Sequence, residues 1–215
     1  MTGFADSAVV ELRRYLLHPG RFDDLRDVFE RWLVAGQERA GMRIGRRFRD
    51  RDNPDRFVWL RGFTSMAQRK TALETFYFGP LWREHAAAAN DTMIDSDDVF
   101  LLRPTDRPHP PPPDDGPAWG LGQVWPADLG PPVEQAHSVL ERVVAAPVAM
   151  WRTEPSPNTF PRLPVRDGDH VVWLATFADE RRWAEAQDRL AADPDWRELG
   201  ASGPPAEWMH LLPSG

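Results

Sequence analysis

Laid over itself with a shift of 114 positions, the chain matches without a gap from residue 57 to residue 84, and nine of those 28 positions are identical. FVWLRGF (57–63) falls on VVWLATF (171–177), and PLWRE (80–84) falls on PDWRE (194–198). A repeat at a fixed offset is the constraint to satisfy before any other. Whatever unit Val58, Trp59, Leu60 and Phe63 help to build, Val172, Trp173, Leu174 and Phe177 are expected to build again. A length of 215 residues accommodates one large domain or two of about 100 residues, each with a modest core.

The two copies flank PTDRPHPPPPDDGP (104–117), the densest proline stretch in the sequence. Consecutive prolines favour polyproline II, which extends by about 3.1 Å per residue and resists folding back. A stiff spacer is the expectation, and a ligand for a proline-reading domain is the alternative. Residues 8–103 and 118–213 then form the two units.

Each unit shows one order of elements. In the first, VVELRRYLL (9–17) alternates like a strand and ends at the turn His18-Pro19-Gly20. Phe22, Leu25, Val28, Phe29, Trp32 and Leu33 follow at helical spacing, predicting an amphipathic helix to about Arg39. Strands are predicted over 42–48 and 56–63. A second helix opens with Ser65 and Gln68 at capping-box spacing and turns Met66, Leu73, Phe76 and Tyr77 inward. A last strand covers 99–103. The second unit repeats this with strands at 119–125, 148–153, 170–177 and 208–212, and with helices over Val133–Val144 and near 180–191. Each unit reads as β-α-β-β-α-β, the ferredoxin-like arrangement. One such sheet leaves a face bare. The expected fold is therefore α+β, two ferredoxin-like repeats closing into an intramolecular version of a dimeric α+β barrel. Gly79-Pro80 and Asp193-Pro194 suit helix starts, so the repeated Trp-Arg-Glu word reads as a capping and packing device.

Composition narrows the function classes. A net charge of −7 with no Lys/Arg-rich block argues against a nucleic-acid partner. Lys70 is the single lysine beside 25 arginines, a bias that genome composition accounts for as readily as function. Absence of cysteine removes disulfides, Cys-based zinc sites and thiol nucleophiles. The opening MTGFADSAVVELRRYLL lacks a secretory pattern, and no apolar run approaches the ~18–20 residues of a membrane helix. A soluble, cytoplasmic protein without a membrane partner is expected.

The run Glu11-Leu12-Arg13-Arg14-Tyr15, with Leu17-His18-Pro19-Gly20 after it, resembles the opening of the NIPSNAP family. The likeness continues through VWLRGF to Phe76-Tyr77-Phe78-Gly79-Pro80-Leu81-Trp82, covering about residues 8–103. It implies the dimeric α+β barrel superfamily. That superfamily includes cofactor-free monooxygenases, polyketide cyclases, isomerases and haem enzymes, and fold alone does not choose among them.

Strand alternation puts Glu11, Arg13 and Tyr15 on one face of the first strand, and Trp59 and Arg61 on one face of the third. If these faces coincide, they form a candidate site: Arg13 or Arg61 holding an enolate or carboxylate, Tyr15 donating a proton, and Glu11 acting as a base if burial raises its pKa. Trp59, Phe76 and Tyr77 are the candidate substrate walls. The alternative is an ion pair of Glu11 with Arg13 or Arg61 inside the barrel that fixes strand register. In the second unit Ala175 replaces Arg61, and the opening strand offers Trp119, Leu121, Gln123 and Trp125 without a charge.

The six histidines show no metal-ligand spacing, so no metal is expected. His85 is where a haem reading, the third in order, would place its axial ligand. The leading expectation is a small-molecule ligand, an aromatic or polyketide-like metabolite transformed without a cofactor, in a protein that forms homo-oligomers or stands alone. A non-catalytic binding or scaffold protein is the alternative.

Overall fold

The computed structural model describes residues 6–105, 118–201 and 206–215, so most of the proline-rich stretch expected over 104–117 lies outside the described residues. Eight antiparallel strands close on one another. In chain order they are β1 (Val9–Leu17), β2 (Arg43–Asp50), β3 (Arg56–Phe63), then, after a three-residue β4 (Met93–Asp95), β5 (Val99–Pro104), β6 (Trp119–Pro126), β7 (Val148–Thr153), β8 (His170–Phe177) and β9 (Glu207–Pro213). The strands run β3-β2-β9-β6-β8-β7-β5-β1, and β1 pairs with β3 to shut the ring. The short β4, which the sequence did not announce, only borders the end of β1 at Leu16 and Leu17.

The two halves meet at two seams. At one, Leu102, Arg103 and Pro104 of β5 face Thr153, Arg152 and Trp151 of β7. At the other, Phe48, Arg49 and Asp50 of β2 face Pro213, Leu212 and Leu211 of β9. Closure removes the unpaired edges that each half would otherwise expose. Alternation along each strand then divides the apolar residues into layers. Val10, Leu12, Val58, Leu60, Phe100 and Leu102 meet Val124, Ala149, Val172, Leu174, Met209 and Leu211 in a shared barrel interior. The outward residues of each half pack beneath that half's own helices.

Helices follow the predicted stripes with two departures, the first being Trp32, which is exposed. Between α1 (Phe22–Val28) and α2 (Val34–Arg39) the chain widens into a π-helical turn over Phe29–Leu33. Such a turn shifts the inward stripe by one residue, and it keeps both Phe29 and Leu33 buried before delivering Gln37 to the core. The helix α3 (Met66–Tyr77) is capped as expected: Ser65 Oγ accepts from the Gln68 amide at 3.1 Å, while Gln68 Oε1 accepts from the Thr64 amide at 3.3 Å. Ser65→Ala is expected to cost about 1 kcal/mol in urea unfolding.

The repeated Pro-x-Trp-Arg-Glu words both start helices, α4 (Pro80–Asn90) and α7 (Pro194–Ala201). Asp193 Oδ1 accepts from the Trp196 amide at 2.9 Å, whereas Gly79 has no side chain to offer. Trp82 packs edge-on against Tyr77 at 4.9 Å, and Trp196 packs edge-on against Trp173 at 6.0 Å. The word is structural in both places. The second half is completed by α5 (Val133–Val144) and α6 (Glu180–Ala192), the latter capped by Asp179 accepting from the Arg182 amide at 2.8 Å.

Candidate functional site

Register brings the predicted faces together. Along β1 and β3, Glu11 lies opposite Arg61 and Arg13 opposite Trp59, with Tyr15 two residues on. All five side chains project outward from the barrel, into the layer beneath the first-half helices, among Phe29, Leu33, Leu73, Phe76 and Tyr77. The ion-pair alternative matches in its partners, since Glu11 pairs with both Arg13 and Arg61, but not in its place, because strand parity puts Val10, Leu12 and Leu60 inside the barrel.

The centre of the layer is one carboxylate held by three guanidiniums. Glu11 Oε2 accepts from Arg13 Nη1 at 2.6 Å and from Arg61 Nε at 3.0 Å, and Glu11 Oε1 accepts from Arg69 Nε at 2.7 Å. Glu11, Arg61 and Arg69 are 0% exposed and Arg13 is 1% exposed. Among the described residues no second carboxylate pairs with any of the three arginines, so three positive charges against one negative leave the buried cluster at +2. Tyrosines and amides complete it. Arg13 Nε donates to Tyr15 Oη at 2.7 Å, and Arg61 Nη1 donates to Gln37 Oε1 at 3.0 Å and to Tyr77 Oη at 3.4 Å. The indole of Trp59 lies between Arg61 and Arg13, 5.3 and 5.8 Å from their guanidinium carbons. Phe76 stands one ring further out, edge-on to Tyr77 at 5.1 Å and close to Trp82.

This arrangement shifts the proton affinity of Glu11, Tyr15 and Arg69. Burial alone would raise the Glu11 carboxyl, but Arg61, Arg13 and Arg69 outweigh it and hold the group far below the usual carboxylate range. The condition for Glu11 to act as a base is therefore not met: a carboxylate that accepts from three guanidiniums across its two oxygens has little affinity for a proton. Burial pushes the Tyr15 phenol up, against the pull of Arg13, so it stays a neutral donor. Burial draws Arg69 down, Glu11 opposes that, and the neighbouring Arg61 and Arg13 add to it.

Several participants were not singled out in the sequence. Arg69 and Gln37 both sit on the apolar stripes of their helices: Arg69 shares a face with Ala72, Leu73 and Phe76, and Gln37 is one turn past Leu33. A polar residue in an inward stripe was the available signal. Asn158, Thr159 and Phe160 come from the connection between β7 and β8, where no periodicity points to them. Arg69 Nη1 donates to Asn158 Oδ1 at 3.0 Å and reaches Thr159 Oγ1 at 3.5 Å, and Phe160 packs on Tyr77 at 5.8 Å.

The equivalent place in the second half has no charge. Pairing of β6 with β8 sets Leu121 opposite Ala175 and Gln123 opposite Trp173, where β1 and β3 set Glu11 opposite Arg61 and Arg13 opposite Trp59. At the repeat offset Trp183 stands for Arg69, and its Nε1 donates to the Gly120 carbonyl at 2.8 Å. His85, the residue of the haem reading, stacks face to face on Trp32 at 4.6 Å, with Nε2 3.9 Å from Glu84. An imidazole engaged in this way does not fit an axial ligand, which needs its nitrogen directed into an open cavity. Among the described residues no group of three metal-ligating side chains occurs. No helix among them is long and apolar enough to cross a membrane.

The chain resembles known proteins at two levels, a family over its first half and a fold over its length. A family model, NIPSNAP, matches residues 10–107. A NIPSNAP-like domain protein from Burkholderia xenovorans aligns at 24% identity and a TM-score of 0.44, covering 50% of this chain and 94% of its own. A proposed monooxygenase from Fusobacterium nucleatum aligns at 6% identity and a TM-score of 0.60, covering 100% of this chain and 94% of its own. An anthrone oxidase-like protein aligns at 11% identity and a TM-score of 0.54, covering 98% and 94%. No curated protein matches the sequence significantly. The NIPSNAP family model thus matches residues 10–107, just under half of the chain, and the likeness to the solved structures that span the whole chain is one of fold.

Proposed function

We propose that the protein binds a small aromatic or polyketide-like metabolite beneath the first-half helices and transforms it without a cofactor. The observation that supports this most is the convergence of Arg13, Arg61, Tyr15 and Tyr77 around Trp59 in a water-excluded layer. Fixed donors in such a layer stabilise negative charge that develops on a substrate oxygen, because they need no reorganisation as the charge appears. In this reading Arg61 and Arg13 receive the oxyanion and Tyr15 or Tyr77 donates to it. Trp59 and Phe76 face the ring system. Glu11 is the anchor that holds the guanidiniums in place, and the substrate's own acidity replaces a protein base. The two units, residues 8–103 and 118–213, are read as ferredoxin-like duplicates of which the second has given up its charges for packing. Company in the fold, a proposed monooxygenase and an anthrone oxidase-like protein, lends the reaction class.

Oxygen uptake and product mass in air, with no metal or flavin added, test this on a panel of aromatic ketones that includes anthrone. Anthrone and one O2 give anthraquinone and one water, the ring methylene losing two hydrogens and gaining one oxygen. Turnover above buffer is expected, with Arg61→Gln slower by about a hundredfold. Rates equal to buffer across the panel would remove the catalytic half of the reading. A second reading, a non-catalytic binding or scaffold protein, draws on the closure of the cluster, whose four charged groups are at most 1% exposed.

A further inference from the structure

We infer that the charge cluster is a binding site for a small aromatic anion, received by Arg69 and Trp59 and closed by residues 158–160 of the opposite half. This rests on the small-molecule reading above, narrows its ligand to an anion, and moves the receiving donors from Arg61 and Arg13 to Arg69 and Trp59, whose N–H groups are unspent.

Charge balance is the first ground. A second cluster in the same protein serves as the comparison. Arg14 pairs with Asp98 at 2.9 Å and with Glu207 at 2.7 Å, and Arg166 pairs with the same two carboxylates at 3.0 and 2.9 Å. Two cations meet two anions there, two groups from each half, and the cluster ties the halves together at zero net charge. The cluster around Glu11 is more deeply buried and yet carries two uncompensated positive charges. Removing an ion from water costs several kcal/mol even after relaxation. An anion is the partner that offsets such an excess.

Unspent donors are the second ground. A guanidinium offers five N–H groups in a planar fork. Arg69 uses Nε on Glu11 and Nη1 on Asn158, while Nη2 is buried without an acceptor. Trp59 Nε1, on a residue 1% exposed, is likewise buried without one. Buried donors left unpaired cost about 1–3 kcal/mol each, so native interiors seldom keep them. A carboxylate or enolate oxygen supplies both the missing charge and the missing acceptors. The rings of Trp59, Tyr77 and Phe160 supply walls for an aromatic body.

Dispensability of the charges to the fold is the third ground. In the second half the corresponding positions hold Leu121, Gln123, Ala175 and Trp183 at full burial, and the strand pairing is the same. The barrel does not require the arginines.

The connection between β7 and β8 provides the closure. It is anchored at both ends on β5, Glu154 donating its amide to the Leu101 carbonyl at 2.9 Å and Arg166 donating to Val99 at 2.8 Å. Between these points the chain crosses to the first-half helices. Asn158 Oδ1 takes Arg69 Nη1, and Phe160 covers Tyr77 and Phe78 at 5.8 and 6.0 Å. Irregular connections of this length are uncommon unless they have a role. The Asn158 amide oxygen is a neutral acceptor on the guanidinium, weaker than a charged oxygen, and so is displaceable by one. Entry of a ligand requires residues 158–160 to lift.

Calorimetric titration of the full chain with benzoate, benzamide and inorganic phosphate tests the inference. Benzoate is expected to bind, with benzamide, its neutral counterpart, at least tenfold weaker and phosphate weaker than benzoate. Arg69→Gln should lose at least tenfold in benzoate affinity with an unchanged circular dichroism spectrum. If Arg69→Gln folds poorly, Asn158→Ala carries the test, because it leaves the cluster whole and removes the competing acceptor: benzoate should associate faster. Equal binding of benzoate and benzamide would overturn the charge assignment while leaving the aromatic reading standing. Tighter binding of phosphate would overturn the aromatic body, and no binding of the three would overturn the site. Benzoate association unchanged in Asn158→Ala would overturn the closure.

Discussion

Glu11→Gln is expected to remove about 3–5 kcal/mol of folding stability, the range found when one partner of a buried charge network is deleted. For a chain of this size that is a fall of about 10 °C in thermal midpoint. The reason is local: the substitution leaves Arg13, Arg61 and Arg69 buried together with no negative charge among them. Removing charges of both signs should do less harm. Glu11→Leu combined with Arg61→Ala copies the Leu121 and Ala175 pair that the second half already packs, and it is expected to recover part of the loss. The pH dependence has a definite sign. Glu11 is held below its unfolded value, so its contribution is complete above a pH of about 4.3 and is lost as pH falls through the range below. Wild type and Glu11→Gln should therefore converge on acidification, as read by urea unfolding at each pH. A gap that widens toward low pH would refute the assignment.

Phe100→Ala is the second large effect, about 3–5 kcal/mol from the lost burial and the cavity left behind. Phe100 faces the barrel interior and is touched from both halves. The Arg14 and Arg166 guanidiniums lie 5.0 Å from its ring, and His170 is edge-on at 5.1 Å. Because that interior belongs to neither half alone, the loss should be felt in both. Hydrogen exchange followed by mass spectrometry is expected to show β3 and β8 losing protection by the same factor. Loss confined to β1, β3 and β5 would mean that the halves are separate cores in contact.

Much of the barrel was legible because its evidence is periodic. Alternation in VVELRRYLL, the three- and four-residue steps from Phe22 to Leu33 and the gap-free match at 114 positions each report a local geometry. The strand faces of Glu11, Arg13, Tyr15, Trp59 and Arg61 followed from parity alone, and register then brought them together. Parity does not say which face is inside the barrel. That depends on which layer the helices choose, so the ion pair of Glu11 that the sequence suggests inside the barrel forms outside its wall, with the same partners. The base role of Glu11 depends on a condition, that burial raise its pKa, and Arg61, Arg13 and Arg69 together hold it down instead. Asn158 and Phe160 are brought in by a connection that crosses from one half to the other. No local pattern encodes such a contact, and the proline-rich, aperiodic character of residues 154–169 signalled only that the segment was not a helix or strand.

At the centre of the account is Glu11 as a fixed negative anchor in a cluster left positive. The most direct measurement is a 13C NMR titration of the Glu11 side-chain carboxyl in the intact chain. An ionised resonance that does not titrate from pH 7 down to about pH 3, well below the ordinary glutamate value, is expected. A midpoint at or above that ordinary value would contradict it, and would return Glu11 to the role of a base.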